Sequence, residues 1–119
     1  MSLNLQKYHS FAILLKQLRS DLTPIPLNAL ELRQRTASLQ QFFQQQIVPL
    51  DDEGTDSQDW GRVQSYRTEM SKQLRLLEID VMFFQGSRQV STAQERLDTI
   101  NHRLTTLIEY SKAILQTEE

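Results

Sequence analysis

The run Leu74-Arg75-Leu76-Leu77-Glu78-Ile79-Asp80-Val81-Met82-Phe83-Phe84 constrains this chain more than any other stretch. Wound as an α-helix, at about 100° per residue, it is apolar on more than one side. Val63, Tyr66, Met70, Leu74, Leu77, Val81 and Phe84 make one continuous stripe. Leu76, Ile79 and Phe83 make a second, shorter one, and Asp80 lies between the two. A helix apolar on two sides must bury both, against its own bundle, a second copy or another protein.

The rest of the chain supplies companions for that helix. A first helix is predicted over roughly residues 3–22, where Tyr8, Phe11, Leu15, Leu18 and Leu22 alternate spacings of three and four. Ala12 and Leu14 widen this seam. Thr23-Pro24-Ile25-Pro26 should stop it, since proline cannot continue the backbone ladder and disfavours α geometry in the residue before it. A second helix, roughly 28–48, opens with Asn28 as cap and Glu31 placed to reach back, and Leu27 and Leu32 stand where a hydrophobic staple would pair. Its buried stripe is Leu32, Thr36, Leu39, Phe43 and Ile47, with Phe42 on the flank, and Pro49 closes it.

Between about residues 50 and 59 the carboxylates of Asp51, Asp52, Glu53, Asp56 and Asp59 crowd around Gly54 and Ser57, the composition of a solvated loop. Asp59 is positioned to cap a third helix over roughly 60–88, about 40 Å long at 1.5 Å per residue, which Gly86 either ends early or sits within. Ser91 or Thr92, with Gln94 and Glu95 three residues on, should cap a fourth helix over roughly 92–116. There Ala93, Leu97, Ile100, Leu104, Leu107, Ser111 and Ile114 form the core face, broadened by Ile108 and Leu115. The predicted fold is all-α, a single-domain antiparallel up-down four-helix bundle spanning residues 1–119, with a longer hairpin of the third and fourth helices projecting past the shorter pair.

Composition agrees and narrows the chemistry. With 39% apolar and 24% charged residues the chain belongs with globular proteins, not disordered ones. A net charge of −2 supplies no basic field for nucleic acid or anionic lipid. The absence of Cys excludes disulfides and thiolate chemistry, and suits a reducing cytoplasm. The N-terminal Met1-Ser2-Leu3-Asn4-Leu5-Gln6-Lys7 has neither the basic start nor the apolar run of a signal peptide. Apolar runs are far shorter than the roughly twenty residues a membrane span needs.

No constellation of residues announces a reaction. Glu78 and Asp80 diverge by about 160° on a helix and cannot act as an acid/base pair. A buried Asp80 requires a cation, and Arg19, Arg35 and Arg103 are the candidates across the bundle. Asp98 and His102 are one turn apart and can in principle share an ion. The chain has no Glu-x-x-His, however, and His9 is its only other histidine. Neither a Gly-x-Ser-x-Gly elbow nor a glycine-rich phosphate loop occurs. No enzyme activity, cofactor or metal is expected, and the interspersed acids argue against nucleic acid. What remains is surface. In Phe42-Phe43 and Phe83-Phe84 one ring of each pair can face the core while its neighbour turns away, unless both are buried. The candidate partner-binding residues are therefore Leu76, Ile79, Asp80, Phe83 and Phe42, with a second copy or another protein as the partner. The acidic loop is a weaker candidate.

Several segments resemble the PatD-type heterocyst frequency control proteins of cyanobacteria. They are Leu3-Asn4-Leu5-Gln6-Lys7-Tyr8-His9-Ser10-Phe11, Leu39-Gln40-Gln41-Phe42-Phe43-Gln44-Gln45-Gln46-Ile47, Arg103-Leu104-Thr105-Thr106-Leu107-Ile108 and, above all, the third helix from Tyr66 to Gln85. The resemblance implies a non-enzymatic cytoplasmic regulator of cell patterning, present at the division site, which binds the tubulin-like GTPase FtsZ and modulates its assembly. It carries no binding residues onto this chain. The alternative is a self-associating helical adaptor that binds another regulatory protein, such as a transcription or signalling factor.

Overall fold

Tyr8, Phe11, Leu15, Leu18 and Leu22 are all buried, and they meet the buried stripes of the other helices in one continuous core. The computed structural model describes residues 3–22, 28–52 and 54–118. Among them the chain forms α1 (Leu3–Asp21), α2 (Ala29–Phe42) continued by a π-helical turn (Phe43–Ile47), α3 (Ser57–Gly86) and α4 (Val90–Glu118). The helices run alternately up and down, with α1 against α4, α2 against α3, and α3 against α4, in a bundle of 51 × 21 × 21 Å. This is the all-α four-helix bundle expected, with the long hairpin made by α3 and α4.

Local chemistry explains the boundaries, including those that differ from expectation. Asn28 caps α2, its side chain accepting from the Glu31 N–H at 2.8 Å. Thr23 to Leu27, and with them the proline stop and the staple, lie outside the described residues. The second helix is not α throughout: its last turn is π, and the Val48 N–H reaches the Phe43 carbonyl at 2.9 Å. Leu39, Phe43 and Ile47 are spaced four and four, which in a pure α-helix drifts around the axis. The wider i→i+5 turn advances less per residue and undoes that drift, so all three stay in the core.

α3 begins at Ser57, three residues before the expected start, because Asp56 and not Asp59 is the cap: its carboxylate accepts from the Gln58 N–H at 2.8 Å. Asp59 instead sits in the first turn, 3.7 Å from Arg62. The linker before α3 turns at Gly54, whose φ of 78° is left-handed and suits a residue without Cβ. Gly86 ends α3, and Ser87 follows in extended geometry, its hydroxyl donating to the Phe83 carbonyl at 2.8 Å. α4 starts at Val90, so Ser91 and Thr92 lie inside it and do not cap it; the first turn closes from the Ala93 N–H to the Gln89 carbonyl at 3.0 Å. Leu14, expected to widen the seam of α1, is exposed. Among the described residues no helix is long and apolar enough to cross a membrane.

Candidate protein-docking surface

The orientation of α3 decides which of its two apolar stripes is covered. Towards α2, Gln40 donates to the Leu74 carbonyl at 3.1 Å and approaches Glu78 Oε2 at 3.4 Å. Towards α4, Arg103 Nε donates to Asp80 Oδ2 at 3.0 Å, and its Nη1 to Gln73 at 3.4 Å. Asp80 is only 7% exposed. Of the three cations considered for it, Arg103 is the partner, because antiparallel α4 brings it level; Arg35 pairs with Asp21 at 2.6 Å and Arg19 donates to Thr105 at 3.3 Å. Asp80 is thus an internal clasp of the hairpin and not a contact residue.

With those contacts made, Val63, Met70, Leu74, Leu77 and Val81 turn inward and the second stripe turns out. Ile79 is 40% exposed, Phe83 53% and Met82 64%, while Leu76 is half-buried. Burying a side chain of this size contributes about 1.5–3 kcal/mol, so a covering surface has several kcal/mol to gain here. Phe42 does not join this ridge. It is half-buried and stacks on Phe11 of α1, centroids 5.7 Å apart and planes 8° apart, beside buried Phe43. Phe42, expected among the contact residues, is thus placed apart from Leu76, Ile79 and Phe83. The two aromatic pairs differ because α1 roofs the first and leaves Phe83 open.

Met82 is the residue that sequence reasoning missed, although it stands three positions from Ile79 and shares its side of the helix. It separates two hollows. One, of about 630 Å³, lies between α2 and α3, with Arg33 and Glu78 at its lips and Thr36, Ala37 and Val81 among its walls. The other, of about 370 Å³, lies at the hairpin tip between Met82, Phe83, Arg88 and Arg96. The Arg96 guanidinium covers the Phe83 ring at 4.7 Å. Among the described residues Arg33 and Arg88 have no ion-pair partner. Thr36, placed in the core stripe by spacing, is 3% exposed and its hydroxyl has no hydrogen-bond partner, although it borders the larger hollow.

The remaining chemical candidates are dispersed. Asp98 accepts from Gln94 at 3.0 Å, and His102 and His9 are both exposed. Among the described residues no three His, Asp or Glu side chains gather closely enough to hold an ion. Compared with known protein families, curated proteins and solved structures, the chain matches none.

Proposed function

We propose that this chain is a non-enzymatic binding module that engages a protein partner through the open side of its α3–α4 hairpin. The observation that carries this reading is the ridge of Ile79, Met82 and Phe83, exposed on a helix whose opposite side is fully packed. Aromatic and methionine side chains in that setting are the residues that concentrate binding energy at protein interfaces. The partner implied by the resemblance is FtsZ, whose assembly the protein then modulates at the division site and so regulates heterocyst frequency. A rod of 51 Å can bridge filaments if it acts as a dimer, or block a contact between subunits if it acts as a monomer.

Co-sedimentation tests the assignment. Purified protein is expected to pellet with GTP-assembled FtsZ and to change the polymer mass; an unchanged pellet without the protein in it refutes FtsZ as partner. The same ridge also suits a self-associating adaptor for another regulator. That reading requires a dimer mass in light scattering that falls when Phe83 is replaced by Glu, together with no co-pelleting with FtsZ; a monomer mass refutes it.

A further inference from the structure

We infer that the surface running from the α2–α3 groove across Met82 to the hairpin tip receives an acidic amphipathic helix of a partner protein. The inference rests on the binding-module reading and supplies the chemistry of the partner segment. Its first support is adjacency. The two hollows flank Met82, so a helix laid across Met82 can seat a side chain in each. Met82 and Phe83, with Ala37, offer it exposed apolar contact.

The second support is charge. Arg33 lines one hollow and Arg88 the other, both without an ion-pair partner among the described residues. Arg96 adds a third cation, its guanidinium 4.7 Å from the centre of the Phe83 ring. Glu78 keeps its negative charge, but Arg33, Arg88 and Arg96 outnumber it among the residues lining the two hollows, so the lining is net positive.

A second copy of the chain fits less well. Its acidic segment offers Asp51, Asp52 and Asp56, but the neighbouring apolar residues, Leu50 and Trp60, are already half-buried against the core. A nucleic acid brings negative charge without apolar side chains. An acidic amphipathic helix brings both.

The test uses two labelled peptides of about five helical turns with the same Leu/Phe stripe, one carrying Glu and the other Lys on the polar side. By fluorescence anisotropy the Glu peptide is expected to bind at least about tenfold more tightly than the Lys peptide, with the gap narrowing as salt rises. Met82→Glu should abolish binding, and the double change Arg33→Glu with Arg88→Glu should reverse the preference, each with an unchanged helical circular-dichroism spectrum. Equal affinity for both peptides overturns the inference. So does indifference to Met82 and the two arginines, tighter binding of a duplex oligonucleotide, or a Met82-dependent dimer that takes up no peptide. FtsZ that still co-pellets with the Met82→Glu and double-arginine variants refutes this surface and leaves the FtsZ reading standing. Charge-selective peptide binding without FtsZ co-pelleting does the reverse.

Discussion

At the start of α3 the Arg67 guanidinium lies over the Trp60 ring, 5.6 Å from its centre; near the end of the same helix Arg96 lies over Phe83 at 4.7 Å. The motif is the same and the outcome differs. At the first site the linker returns across the ring, and Arg67 ties it down by donating to the carbonyls of Val48 and Leu50. Asn4 of α1 adds a bond to the Asp51 carbonyl at 2.8 Å, so the lower end of the bundle is closed. At the second site only residues 87–89 join α3 to α4, too short a connection to cover anything, and Phe83 stays half in water. A cation over an aromatic ring is worth little by itself. Whether it becomes part of the core or part of a contact surface depends on where the backbone goes next.

Substitutions at the two ends sharpen this contrast. The largest effect is expected at the closed end, where Phe43→Ala empties a buried site packed on Phe11 and should lower stability by about 4 kcal/mol in urea unfolding. Asp80→Ala comes next, because it leaves Arg103 partly buried without its carboxylate; a loss of about 2–3 kcal/mol is expected, read as a lower midpoint with unchanged denaturant slope. Arg67→Ala should cost about 1–2 kcal/mol through its carbonyl bonds and its cover over Trp60, and amide exchange should accelerate at residues 54–60 before it does elsewhere. Asn28→Ala removes a cap and should cost about 1 kcal/mol. The smallest change belongs to the open end: Phe83→Ala is expected to shift stability by less than about 0.5 kcal/mol while impairing partner binding. A large destabilisation there would return Phe83 to the core and dissolve the distinction.

The parts of the molecule that could be read from its residues are those governed by periodicity. The stripes of α1, α3 and α4 come out buried nearly position for position, since each is a spacing of three and four repeated over several turns. Capping was legible at Asn28, where one residue type and one offset suffice, and misread at Asp59, where Asp56 offers the same chemistry three positions earlier. The π turn was invisible, because spacings of four and four fit an α-helix almost as well until a core demands that they align. For the surface, spacing marked Ile79 and Phe83 but could not distinguish covered from open. Phe42 looked equivalent to Phe83 and is not, because α1 lies over it. Arg33, Arg88 and Arg96 lie on separate helices or beyond a turn, and their grouping around Met82 depends on how the helices pack.

Asp80 adjoins Ile79 in sequence and stands one turn before Phe83, so its clasp with Arg103 sits beside the open ridge. For α3 to slide by a turn along α4, or to roll about its axis, these two charges must separate in a poorly hydrated space. The hairpin therefore holds one register, and the three side chains are presented with fixed spacing and aim. Any partner that docks there would find the backbone of the ridge already fixed, and the entropy of aligning α3 against α4 spent in folding.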